Sequence, residues 1–260
     1  MTYETIQFHV ESGVFRLIFN RPDRLNSLSA LMQSEILHAL DEVKAGSPRV
    51  LLITGAGRAF CAGQDLSERD VEAGPLDLGQ GPETFYNPFT WQIAELPCPV
   101  VCAVNGTAAG AGVNIAIACD IVVAKRSVRF VQAFSSIGLV PDAGGTWHLP
   151  RLIGQARALG FTLMGETLSA DEARELGLIW RVFDDGLFDQ EVEAIVAKLG
   201  TAPTFGLASA KRAIRGAMTI TLEDALDRER DMQRACGRTY DYKEGVMAFK
   251  AKRTPRFKGE

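Results

Sequence analysis

Two glycine-rich turns, each following an apolar run, carry the first chemical signal in this chain. The first is FCAGQDL, Phe60 to Leu66, after Val50-Leu-Leu-Ile-Thr54. The second is NGTAAGAG, Asn105 to Gly112, after Pro99-Val-Val-Cys-Ala-Val104. Small residues let a backbone approach a ligand closely, so main-chain N–H groups make the contact. The second turn runs into the apolar stretch Val113 to Ala118, whose first helical turn would carry unpaired donors. Two such turns facing one pocket suit an oxygen that becomes negative during reaction, as in enolate or acyl chemistry.

A reactive group is offered further on. The stretch FVQAFSSIGLVPDAGGTWHLPR, Phe130 to Arg151, sets one carboxylate, Asp142, among apolar and small residues. Asp before Ala-Gly-Gly-Thr also suits a helix N-cap, and the residues alone leave both readings open. If Asp142 faces a dry pocket, desolvation raises its pKa, as a base for carbon acids requires. His148, between Trp147 and Leu149, reads as a packed side chain, and Ser135 and Ser136 lack a His–Asp pattern.

Other chemistries find little support. Gly55-Ala-Gly57 follows a strand, but Phe60 stands at the third glycine place and Gly and Pro occupy the region where a ribose-binding acid belongs. Five cysteines, mostly inside apolar runs, and three scattered histidines form no metal pattern and read as reduced, buried thiols. A net charge of −4 argues against broad binding to nucleic acid or anionic membrane. An anionic ligand therefore needs a local Arg/Lys cluster. No uncharged apolar stretch reaches the roughly 18 residues of a span, and Met1 to Glu4 has no signal-like start. The expectation is a soluble cytoplasmic protein with no metal.

The elements that must position these groups alternate. Residues 4–10 and 13–20 pattern as strands around a Glu11-Ser12-Gly13 turn, and Pro22 ends the second. Ser29 caps a helix to about Ala45. Strand, glycine turn, helix and strand follow twice, predicting crossovers and largely parallel strands. Glu72 to Thr84 reads as a mobile Gly/Pro-rich loop beside the pocket. After Gly144 the strands nearly vanish. Ser169 starts a short helix, and helical patterns cover 187–199, 203–216, 221–236 and 240–251. The 260 residues divide into a core over 1–200 and a helical region over 201–260.

In series, Asn20-Arg-Pro22, the AGQD turn, NGTAAGAG, Cys119-Asp120, GLVPDAGGTWHLPR and LSADEARELGLIWRV resemble the crotonase (enoyl-CoA hydratase/isomerase) superfamily from about Glu4 to Phe257. The resemblance implies an α/β fold, a spiral of ββα units with a helical C-terminal trimerisation region, assembled as trimers or hexamers. It implies an acyl-CoA thioester substrate, coenzyme A entering as part of the substrate and no separate cofactor. The thioester oxygen would lie between the amides of Gln64 and Ala111, an alanine where glycine is commoner. Ala62, Gly63, Asp65, Leu66, Gly110 and Phe134 would line the substrate, with Arg21, Arg24 and Lys252 as candidates for phosphates. Phe249 and Lys252 match tail positions that reach a neighbouring subunit's ligand.

Departures from the family pattern set the expected reaction. Hydratases of this superfamily hold water with two glutamates; those places are Asn114 and Phe134 here. Asp142 matches the catalytic aspartate of several isomerases. FYNP at Phe85 to Pro88, APTFGL at Ala202 to Leu207 and the final YKEGVMAFKAKRTPRF resemble a branch of isomerases that turn ring-1,2-epoxyphenylacetyl-CoA into oxepin-CoA in phenylacetate degradation. That branch implies an Asp142 proton shuttle that also shifts double bonds in enoyl-CoAs. The alternatives are a hydratase or other water-using enzyme, revealed by rapid loss of crotonyl-CoA conjugation, and a non-catalytic binding protein, revealed by failure to bind acyl-CoA.

Overall fold

The computed structural model describes residues 2–70, 72, 74 and 76–260. The chain opens with a hairpin of β1 (Ile6–Glu11) and β2 (Val14–Phe19), antiparallel with Glu11 opposite Val14. Ser12 (φ 50°) and Gly13 (φ 79°) make its two-residue turn, the left-handed geometry that matches strand twist. The Ser29 hydroxyl accepts from the Met32 N–H and caps α1 (Ala30–Ala45), where the sequence places it.

Three successive strand pairs then build two layers. They are β3 (Val50–Gly55) with β4 (Ala59–Cys61), β5 (Val100–Val104) with β6 (Thr107–Ala109), and β7 (Ile121–Lys125) with β8 (Arg129–Val131). The first member of each pair joins a six-stranded sheet, and the second joins a four-stranded one. Helix α2 (Asn87–Glu95) follows the first pair, α3 (Ala111–Ala118) the second, and α4 (Gly145–Ile153) with α5 (Gln155–Leu163) the third. Each turn of the chain is thus a ββα unit. Short β9 (Thr167–Ser169) and β10 (Arg181–Phe183) close the two sheets, with α6 (Ala170–Leu176) between them. The six-stranded order is β1-β2-β3-β5-β7-β10, parallel from β2 onward.

Strands β3 and β5 are apolar on both faces because both are covered. Leu51 and Ile53 enter the main core, while Val50 and Leu52 meet Phe188, Val192 and Val196 of α7 (Phe188–Gly200) on the other side. Helices α8 (Thr204–Ala217), α9 (Leu222–Cys236) and α10 (Tyr240–Lys250) complete the chain.

Two regions differ from expectation. The 72–84 stretch is not loop throughout: from Gln80 it is helical, and a π-helical turn, Pro82–Tyr86, runs straight into α2. Pro82 tolerates a first helical turn, and burial of Phe85, Tyr86 and Phe89 supplies the packing. Val71, Ala73 and Pro75 lie outside the described residues. Residues 145–163 form two helices that the pattern did not single out, because Pro150 and Gly154 interrupt the periodicity.

Candidate active site

The site grows from the pairing of β4 with β6. Because these short strands run parallel side by side (Ala59 opposite Thr107), the turns that follow them emerge at the same edge. Gly63 takes φ +87° and Gly110 φ +52°, values that favour glycine. The turns touch: a Cβ on Gly63 would lie 2.9 Å from the Ala109 carbonyl oxygen and 3.3 Å from the Ala111 nitrogen. Such contacts leave no room for a side chain at 63.

The first turn is anchored by backbone bonds that alternate around Gln64. The Leu28 N–H donates to the Gly63 carbonyl at 2.8 Å and the Asp65 N–H donates to the Leu28 carbonyl at 3.1 Å. The Gly110 N–H is likewise engaged, donating to the Val131 carbonyl at 2.9 Å. Among the described residues, the N–H groups of Gln64 and Ala111 have no protein acceptor. The Ala111 N–H is the first of α3, a helix whose eight residues are all buried, so the helix start adds its positive end. Two donors with no protein partner, presented by touching turns, suit a carbonyl oxygen gaining charge.

Asp142 sits in a tight turn before α4. Its carbonyl accepts from the Gly145 N–H at 2.8 Å, and Ala143 (φ +48°) and Gly144 (φ +75°) are both left-handed. A left-handed alanine costs on the order of 1 kcal/mol. The carboxylate does not cap α4, whose N-cap is Gly144 with no side-chain bond; of the two sequence readings, the cap is not the one made. Oδ1 of Asp142 is buried and has no hydrogen-bond partner among the described residues. Burial raises its pKa to about 6, the range of a working general base.

Aromatic side chains close the region. Phe134 is buried, with its Cε2 3.9 Å from where a Gly110 Cβ would stand. Tyr86 is buried and donates from Oη to the Gln64 side-chain carbonyl at 2.9 Å. Its own pKa is raised by burial first and by the nearby Asp142 charge second, so one phenol neighbours both the turn and the acid. Gln64 Oε1 also accepts from Gln33 Nε2 at 2.9 Å, and Gln64 Nε2 donates to the Leu28 carbonyl at 3.1 Å. His148 is partly buried with Nε2 unpartnered among the described residues, and desolvation lowers its pKa to about 4. It is neutral near pH 7.

The remaining sequence-picked residues fall into two groups. Arg21 does not point free toward a phosphate: its Nη1 donates to the Asp65 carboxylate and the Ser27 carbonyl, at 2.8 and 2.6 Å. Asp65 also accepts from the Ser67 hydroxyl at 2.7 Å and caps the short 3-10 turn Leu66–Glu68. Ser67, with smaller help from Arg21 and Ser27, holds the Asp65 carboxyl down at about 2. Ala62 and Leu66 are exposed beside this turn. Arg24 and Lys252 are also exposed, Lys252 just after α10. Sequence reasoning missed roles for Tyr86, Gln33 and Gln132. Asn114 was read only as a missing acid, although it lies one turn beyond Ala111 on α3.

The two-layer ββα coil and its paired turns define a fold class that comparison with known proteins identifies. A sequence model of the enoyl-CoA hydratase/isomerase family matches residues 9–260, and the chain belongs to that family, within the crotonase superfamily of enzymes. It is 53% identical over 260 residues, 99% of each chain, to a 1,2-epoxyphenylacetyl-CoA isomerase of Escherichia coli. It is 42% identical over the full length of both chains to a probable enoyl-CoA hydratase of Rhodobacter capsulatus. Among solved structures, a putative enoyl-CoA hydratase/isomerase from Mycobacterium abscessus matches with a TM-score of 0.93 at 34% identity, covering 98% of this chain and 100% of that one. An enoyl-CoA hydratase from Bacillus anthracis matches with a TM-score of 0.92 at 34% identity, covering 99% and 100%.

Proposed function

We propose that this protein is an acyl-CoA isomerase in which Asp142 shuttles a proton while the amides of Gln64 and Ala111 hold the thioester oxygen. Asp142 takes a proton from the carbon beside the thioester, and the released electron pair moves onto the carbonyl oxygen as an enolate. Returning the proton two carbons further along shifts a double bond with no net change in atoms. For a ring-1,2-epoxyphenylacetyl-CoA, the same loss of a proton assists C–O rearrangement and ring expansion to the oxepin, also an isomerisation. The E. coli relative named for that substrate supports this choice.

One observation carries the reading: the half-buried Asp142 carboxylate keeps one buried oxygen without a partner among the described residues, and the resemblance puts the fully buried Asn114 and the buried Phe134 at the places where the family's hydratases carry acids. Neither can activate water. Coenzyme A enters with the substrate, its phosphates meeting Arg24 and, in the assembled oligomer, Lys252 of a neighbouring copy, and no separate cofactor takes part. Ala62, Gly63, Asp65, Leu66 and Gly110 contribute backbone or turn geometry along the ligand, and Phe134 gives the acyl group an apolar wall.

Self-association through the C-terminal helices, as a trimer or hexamer, belongs to the same reading. Apolar side chains stand out on them, Phe249 (85% exposed) and Leu222 (76%) above all. Such surfaces mark association sites. The protein acts in the cytoplasm without nucleic-acid or membrane partners; no helix among the described residues is long and apolar enough to cross a membrane.

The deciding experiment is Asp142→Asn assayed on the epoxide thioester and on a 3-enoyl-CoA, with calorimetric titration of a non-reactive acyl-CoA. Turnover should fall at least ~100-fold, the usual contribution of a positioned base, while binding persists. Near-normal turnover would remove Asp142 from the mechanism. Rapid hydration of crotonyl-CoA by the wild type would instead favour the water-using alternative.

A further inference from the structure

Asn114 is fully buried on α3, and its amide reaches the turn that carries the acid. Its Nδ2 donates to the Asp142 carbonyl at 2.9 Å, and its Oδ1 accepts from Gln132 Nε2, also at 2.9 Å. Gln132 is fully buried too. The chemistry of these groups dictates which way each amide faces. A main-chain carbonyl only accepts, so Asn114 must offer it the NH2 end. That leaves the Asn114 oxygen facing Gln132, which must then present its own NH2. The consequence is visible at the far end: Gln132 Oε1 is buried without a partner among the described residues, a cost tolerated to keep the chain of donors pointing one way.

The same turn needs support from outside. Ala143 and Gly144 are left-handed in succession, and strained backbone persists only where its surroundings over-determine it. The Asn114 amide also lies flat against Gly145, where any Cβ would overlap its Nδ2, Cγ and Oδ1. One side chain therefore bonds the first residue of the turn and packs on the fourth.

We propose that Asn114, oriented by Gln132, is a positioning residue that fixes the 142–145 turn and so the direction of the Asp142 carboxylate. The proposal rests on reading Asp142 as the base. It gives residue 114 a duty that an acid cannot perform: an ionised glutamate has no hydrogen to offer the Asp142 carbonyl and would bring a second negative charge to the site. Placing a hydratase-type acid there should therefore disable this site rather than convert it.

The test is Asn114→Ala, with steady-state kinetics on the epoxide thioester across pH 5 to 8. The expected result is a fall in kcat of ~10- to 100-fold with KM within about threefold. The acid limb of the kcat/KM profile should move below that of the wild type, because a released turn lets the carboxylate reach water. A kcat within threefold of wild type with an unmoved limb would overturn the proposal, as would a rise in KM alone. Should Asn114→Ala not fold, Gln132→Met carries the same test through the orienting donor. It is expected to lower kcat about 5- to 10-fold with the same movement of the limb, and unchanged values would overturn the proposal. Asp142→Asn in parallel separates the claims. If that variant is inactive and the 114 and 132 variants are normal, only the positioning role fails; if it is active, the base assignment itself fails.

Discussion

The Tyr86 hydroxyl and the Gln64 side chain meet at 2.9 Å, so a residue of the π-helical turn holds the residue whose main-chain N–H lies open at the site. With Gln33 and the Leu28 carbonyl also engaged, every polar atom of that side chain is occupied. The amide of Gln64 is thereby fixed in direction before any substrate arrives, the condition for electrostatic preorganisation.

Tyr86→Phe removes one of these anchors while keeping the ring in its buried place. A neutral hydrogen bond is worth about 1 kcal/mol. We expect kcat to drop roughly 3- to 10-fold, with the affinity for a non-reactive acyl-CoA little changed. Steady-state kinetics beside calorimetric titration read both quantities.

With Asp142 as the proposed base, its raised pKa, about 6, sets the pH dependence expected of the activity. The base form dominates above that value, so kcat/KM should climb with pH and level off above about pH 6. Below it the rate should fall tenfold per unit. Tyr86 and His148, the titratable neighbours of this turn, stay neutral through the window, since burial pushes the phenol up and the imidazole down to about 4. A flat profile between pH 5 and 7 contradicts the assignment.

Stability should respond to the same group with a definite sign. The folded pKa of Asp142 lies above its ordinary value of 3.8, so its contribution is fully present below 3.8 and is lost as pH rises through about 6. Ionised at neutral pH in this half-buried place, the carboxylate costs on the order of 3 kcal/mol. Asp142→Asn should therefore be more stable than the wild type at pH 7.5 and lose that advantage toward pH 4. Urea unfolding at the two pH values makes the comparison.

Arg21→Ala should weaken the first turn. It strips Asp65, whose carboxyl is held at about 2 mainly by Ser67 and then by Arg21 and Ser27, of its only cation among the described residues. Leaving a buried acceptor short of a partner costs roughly 1–3 kcal/mol, readable as a lower urea midpoint. If Arg21 served phosphate alone, the midpoint would stay put and only KM would rise.

Much of the architecture was legible because each signal was local. Ser29 announced α1, Ser12-Gly13 the hairpin, and the two apolar runs the parallel strands β3 and β5. What could not be read was the split of each strand pair between two sheets, since β4, β6 and β8 have only three residues apiece. The helix from Gln80 was hidden by Gly79, Gly81 and Pro82, and it is held by tertiary burial rather than propensity. At the site, Asp142 stood out because its neighbours are apolar or small. Asn114 did not, because its partner is a backbone carbonyl 28 residues away, and such a bond leaves no mark in residue type.

The anchoring of α8 has a further consequence. Lys211, only 9% exposed, gives its ammonium to Asp120 at 2.9 Å and to the Ile93 carbonyl at 2.6 Å, and Arg215 grips the other oxygen of Asp120. These cations arrive some ninety residues after the acid they neutralise. On the ribosome, the Asp120 carboxylate, between α3 and β7, therefore has neither of these counter-charges until α8 has been made. Sealing of that end of the core belongs to the last stage of synthesis.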